Sequence, residues 1–173
     1  MGNRSASTSG SPPTAGTSQA GDYAAVLAKA GSGHPEGLLL PDWGEAEWRM
    51  LLAWTDVVAV RAGDVVIERG EKDHGLLFIA SGRLEVSAAS GDGVTMNPLV
   101  PALPGSVVGE VAFFDRQPRS ASAWAATDAV LLRLSAEAFG NLAEAQPALA
   151  RDLLLALGRV LALRLRRASS RRL

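Results

Sequence analysis

The chain has 173 residues, of which 47% are hydrophobic and 20% charged, with a formal net charge of −1, two histidines and no cysteine. That is ordinary material for a single hydrophobic core. It excludes disulfides, thiolate nucleophiles and cysteine-ligated zinc, gives no whole-chain attraction toward nucleic acid, and offers no apolar run of the roughly 18 residues a membrane span requires.

Residues 1–21 are dominated by Ser, Gly, Thr, Ala and Pro and carry one charge, Arg4. Such a segment buries too little to offset the entropy of ordering, so a disordered tail is expected. Tyr23 to Ala30 reads as a short helix ended by Gly31-Ser32-Gly33-His34-Pro35. Glu45 to Trp54 places Trp48, Met50, Leu51, Leu52 and Trp54 on a mostly helical period.

From Thr55 to Leu134 the texture is all-β, with short Val, Ile, Leu and Phe runs separated by Gly63, Gly70, Gly82, Gly91, Gly93 and Gly105. Strands this short at this spacing suggest a small barrel or jelly roll, which leaves few open edges. Ser90-Gly91-Asp92-Gly93 reads as a hairpin tip, and Pro98, Pro101 and Pro104 confine the following strand to an edge or an interrupted course. After Leu134 the period turns helical again. Ser135 with Glu137 caps a short helix through about Ala145, and Pro147 suits the first turn of a long one running through about Arg167.

The fold class expected is mainly β with flanking helices: a β-roll or jelly-roll barrel with N-terminal helices and two C-terminal helices. Its organisation is a tail over 1–21, a helical lead-in over 22–54, the β-roll over 55–134 and the C-terminal helices over 135–168.

The densest chemistry lies in Gly109-Glu110-Val111-Ala112-Phe113-Phe114-Asp115-Arg116-Gln117-Pro118-Arg119-Ser120-Ala121-Ser122. A carboxylate follows a glycine, and nine residues later an arginine is followed only by small residues. An anion needs a cation and free backbone N–H groups, and a ribose needs an acceptor for its hydroxyl; small neighbours let backbone approach closely. The layout therefore suits a small sugar-phosphate. Each residue also has a plainer reading. Arg119 could be solvated or paired with Asp115, Glu110 could serve the dipole of a helix start, and Ala112, Ser120 and Ala121 could be turn fillers chosen for size.

This run resembles the phosphate-binding cassette of the cyclic-nucleotide-binding domain family, roughly Gly-Glu-aliphatic-Ala-aliphatic, a short loop, then Arg-small-Ala-Ser/Thr. The resemblance extends from about Leu38 to the end of the C-terminal helix. Ala62-Gly63-Asp64-Val65-Val66-Ile67-Glu68-Arg69-Gly70-Glu71 is similar to the family's doubled Gly-Asp/Glu turn. Leu76-Leu77-Phe78-Ile79-Ala80-Ser81-Gly82-Arg83-Leu84-Glu85-Val86 is similar to its hairpin, and Gly105 precedes the cassette glycine as in the family.

The resemblance implies a ligand, cAMP or cGMP, and no cofactor or metal. Arg119 would pair with the exocyclic phosphate oxygens and Glu110 would accept the ribose 2′-hydroxyl. Backbone N–H groups in the Gly109, Val111 and Ala112 turn and at Ser120 and Ala121 would complete the cradle. Val86 and Leu99 would face the base from the barrel interior, with Leu161, Arg164 and Leu165 of the long helix near the lid position. Ser120 stands where cGMP-selective members often carry Thr, which does not separate the two nucleotides. The stacking role for Arg164 competes with a solvated cationic helix end, because Arg159, Arg164, Arg166, Arg167, Arg171 and Arg172 share a stretch without acids.

The function implied is binding of a 3′,5′-cyclic purine nucleotide, relayed by movement of the C-terminal helix to a protein partner or a homodimer, in the cytoplasm. No enzyme is expected, since phosphate-loop, zinc-protease and nucleophile-elbow motifs are missing. No DNA-binding domain and no transmembrane segment are expected. The alternative is a non-binding scaffold of the same fold acting as a dimerisation module, with a carboxylate against Arg119 as its mark.

Overall fold

The computed structural model describes residues 22–30, 43–88 and 100–170. Two short helices lead in, α1 (Ala24–Ala30) and α2 (Glu45–Leu52). Eight strands follow: β1 (Asp56–Val60), β2 (Val65–Ile67), β3 (Leu76–Ser81), β4 (Leu84–Ala88), β5 (Val100–Ala102), β6 (Val107–Val108), β7 (Ala121–Ala125) and β8 (Ala129–Leu134). Helix α3 (Glu110–Asp115) interrupts them between β6 and β7, and α4 (Ala136–Ala145) and α5 (Pro147–Ser170) close the chain.

The strands form two four-stranded antiparallel sheets, ordered β1-β8-β3-β6 and β2-β7-β4-β5. In β3, alternate residues serve two different cores. Leu76, Phe78 and Ala80 point to the helices, where they join Trp48, Leu51 and Leu52 of α2 and Leu149, Leu153, Leu157 and Val160 of α5. Leu77 and Ile79 point between the sheets, where they meet Leu84, Ile67, Ala123 and Ala125. Strand β8 alternates the same way, with Leu132 and Leu134 outward and Ala129 and Leu131 inward. A strand covered on both faces reads as a continuous apolar run, which is why Leu76–Ala80 lacks polar alternation.

The second sheet contributes Ala102, Ala123 and Ala125 to this inner core beside Ile67 and Leu84. Pro101 lies in β5, an edge strand paired only with β4, where its missing N–H breaks no ladder. Gly82 turns β3 into β4 at φ +80°; a Cβ there would lie 2.3 Å from the Asp128 carbonyl oxygen.

Helix boundaries differ from expectation by a few residues. Tyr23 lies outside α1, and α2 stops at Leu52 because Trp54 and Thr55 turn back to the carbonyls of Leu51 and Leu52. Ser135 caps α4, its Oγ accepting from the Ala138 N–H at 3.0 Å. Helix α5 starts at Pro147 and runs to Ser170, past Arg167. The tail 1–21, the turn at His34, the hairpin tip at Ser90–Gly93 and Leu99 lie outside the described residues. Among those described, no helix is long and apolar enough to cross a membrane.

Candidate functional site

The loop following β2 clamps the segment that carries Arg119. The Arg119 N–H donates to the Glu71 carbonyl at 2.9 Å, the Gly70 N–H donates to the Arg119 carbonyl at 2.9 Å, and the Arg69 N–H donates to Ser122 Oγ at 3.1 Å. With its backbone held on both sides, Arg119 projects inward and is only 4% exposed. A guanidinium buried to that degree needs charge and acceptors around it.

Asp73 supplies the charge, its Oδ2 accepting from Arg119 Nη2. Arg119 Nη1 donates to the Gly109 carbonyl at 3.2 Å. The Nε of Arg119 is buried and has no acceptor among the described residues. Asp73 also receives Arg133 Nη2 at 3.0 Å and the Gly75 N–H at 3.2 Å on Oδ1. Burial works against ionising this carboxyl, but the Arg119 hydrogen bond and charge, the Gly75 N–H and the Arg133 charge outweigh it and hold its pKa below the usual carboxylate range.

Gly109, at φ +91°, makes the left-handed turn from β6 into the six-residue helix α3. The first N–H groups of such a helix have no carbonyl within it to bond. Glu110, the first residue of α3, is 4% exposed and forms an ion pair with Arg164 of α5. Arg164 also donates from Nη2 to the Val107 carbonyl at 2.9 Å, so one side chain ties α5 to both β6 and the start of α3.

The fold thus brings Gly109, Glu110, Val111, Ala112 and Arg119 to one turn, with Ser120 exposed and Ala121 opening β7 beside β4. Val86 lies on β4, half-buried against the inter-sheet core, on the inward side expected of it. Leu161 lies half-buried on α5. Arg164 is drawn in by the buried Glu110 carboxylate rather than solvated at a cationic helix end. Arg119 pairs with Asp73 rather than Asp115, whose Oδ1 instead accepts the Gln117 N–H at 2.9 Å.

Asp73 and Arg133 were not singled out by sequence reasoning. They lie 46 residues before Arg119 and on the neighbouring β8, and only the pairing of β3 with β8 brings them to the site. Beside them is a cavity of about 300 Å³ lined by Val58, Val60, Val66, Glu71, Asp73 and Arg133 among others. Arg119 and Glu110 are not in its wall.

The sequence and the fold are similar to those of known proteins. The family model described as cyclic nucleotide-binding domain matches residues 57–146, just over half of the chain. The Pycsar effector protein BcPycTIR of Burkholderia cepacia is 30% identical over 93 residues, 53% of this chain and 29% of that protein. The chain therefore spans less than a third of this curated relative. The catabolite activator protein of Thermus thermophilus is 27% identical with a TM-score of 0.67, over 78% of this chain and 61% of that one. A cyclic nucleotide-binding domain from Methylobacillus flagellatus KT shares the fold at 23% identity and a TM-score of 0.74, over 90% of this chain and 84% of that one. With the family model matched over more than half of its length, the chain belongs to the cyclic nucleotide-binding domain family.

Proposed function

We propose that the chain is a receptor that binds a 3′,5′-cyclic purine nucleotide, cAMP or cGMP, in the cytoplasm and relays the event through α5. The observation that carries this reading is Arg119, a buried guanidinium whose Nε has no acceptor, held at the turn that also carries Glu110. An unsatisfied charged donor in a protein interior is costly, and a phosphate oxygen removes the cost. In this reading Arg119 takes the phosphate, the turn at Gly109, Val111 and Ala112 adds backbone donors with Ser120 and Ala121, and Glu110 takes the ribose hydroxyl. Val86, Leu161 and, outside the described residues, Leu99 border the base.

The ion pair between Glu110 and Arg164 supports the relay. A ribose hydroxyl approaching Glu110 must share that carboxylate with the arginine of α5, so the ligand favours one helix position over another. A differential affinity of that kind is what a population shift requires. Nucleotide should therefore change amide hydrogen exchange across residues 147–167, and unchanged protection at saturating ligand would leave α5 as packing alone.

The pairing of Arg119 with Asp73 favours a second reading, the non-binding scaffold, in which the carboxylate completes the arginine from within. Titration calorimetry separates the two. We expect a dissociation constant of about 1 μM or tighter for cAMP or cGMP, close to −8 kcal/mol, with the linear 5′-monophosphate much weaker. Cyclic pyrimidine nucleotides and a cyclic dinucleotide complete the panel; tighter binding of the first would overturn the purine assignment, and tighter binding of the second the mononucleotide assignment. No heat from any cyclic nucleotide at concentrations of about 1 mM would favour the scaffold.

A further inference from the structure

Helix α5 has two faces, and the barrel covers one. Leu149, Leu153, Ala156, Leu157 and Val160 are buried, and no residue after Val160 is. On the opposite side Leu155, Gly158, Ala162 and Leu165 follow one another at intervals of three and four residues, the spacing of a seam for a second helix. Leu155 is 62% exposed and Leu165 68%, and a Cβ added at Gly158 would meet nothing within 4 Å. Small residues flanked by leucines let another backbone approach closely.

The charge beside this seam selects the occupant. Asp152 is the only acid in α5 and is already bonded to its neighbour Arg151 at 2.7 Å. Exposed Arg159 and Arg166 run along one edge of the seam. A second copy in antiparallel register sets Arg159 against its own counterpart, and a parallel copy sets these arginines against leucines. Neither offers a row of acids. We propose that the exposed face of α5 docks an acidic amphipathic helix of a partner, with leucines entering at Leu155 and Leu165 and carboxylates beside Arg159 and Arg166. The proposal rests on the reading of α5 as the output element and names the chemistry of what it addresses.

The test uses the whole chain and two synthetic helical peptides. Both carry leucine at seam positions; the flanking positions are glutamate in one and lysine in the other. The glutamate peptide should bind at least about tenfold more tightly, weaken as salt rises, and lose about tenfold on the double change Leu155→Glu and Leu165→Glu. Leu155 lies away from Arg119, Glu110 and the lid position, so nucleotide titration on Leu155→Glu alone should match the parent. Equal affinity for both peptides would overturn the proposal. So would a doubled mass in sedimentation that reverts with Leu165→Glu, which would mark a homodimer, or capture by phosphatidylserine vesicles with no peptide binding. If the glutamate peptide binds but no nucleotide does, the receptor reading fails and the docking face stands. If nucleotide binds and the peptide does not, the reverse holds.

Discussion

Arg119→Ala should lower cyclic-nucleotide affinity by about 2–4 kcal/mol, roughly 30- to 1000-fold, because the phosphate would enter the site without its cation. The fold should tolerate the change. Asp73, which loses one partner, keeps Arg133 at 3.0 Å and the Gly75 N–H at 3.2 Å, and its side chain is 30% exposed to water. Thermal unfolding on the same sample separates a lost ligand contact from a lost fold. Glu110→Ala should cost less binding, and none for a 2′-deoxy ligand, since the hydroxyl it serves is then missing. Equal losses for ribo and deoxy ligands would remove Glu110 from the ribose. Unchanged affinity in Arg119→Ala would remove the arginine from the phosphate, leaving its pair with Asp73 as a structural tie.

Much of this arrangement is legible in the sequence because it is local. Gly63, Gly70, Gly82, Gly105 and Gly109 all adopt positive φ, and each was readable as a turn from glycine set between apolar runs. Ser135 with Glu137 predicted the cap of α4, and Pro98, Pro101 and Pro104 predicted an edge or interrupted strand, which β5 meets as an edge. The turn at Gly109 and the arginine ten residues later lie within one short segment, so their meeting at 3.2 Å follows from the loop between them.

What sequence reasoning missed is long-range and polar. Asp73 in Glu71-Lys72-Asp73-His74 looks like any solvated loop acid until β3 pairs with β8 and sets it between two arginines. Arg164 sits among arginines that favour a helix end, and nothing local distinguishes it. Its role emerges only because α5 crosses the start of α3, where a buried carboxylate meets it. Arg116, at φ +57°, ends α3 in a conformation that a glycine would be expected to supply, with its guanidinium 5.8 Å from the centre of the Phe113 ring. Charge pairing between distant elements carries no periodic signature, whereas apolar packing does.

Gly109→Ala should damage stability and nucleotide binding together, and Gly140→Ala provides the contrast. At Gly109 the backbone sits at φ +91°, where an L side chain is strained by about 1–2 kcal/mol. The added Cβ would also lie 2.3 Å from Arg119 Nη1 and 2.8 Å from the Gly75 carbonyl oxygen. The guanidinium can swing aside, but only by giving up the Gly109 carbonyl and drawing away from Asp73. The Gly75 carbonyl is backbone at the entry to β3 and cannot move without disturbing the pairing of Leu76 with Leu134. Strain and displacement together should cost about 2–4 kcal/mol of stability. The moved arginine should weaken nucleotide binding further. Gly140 lies within α4 with nothing inside 4 Å of its added Cβ, so alanine there should stabilise by about 0.5–1 kcal/mol through helix propensity. Urea unfolding of both variants should give midpoints on opposite sides of the parent. A Gly109→Ala protein with the parent's midpoint and the parent's nucleotide affinity would show that the turn does not position Arg119.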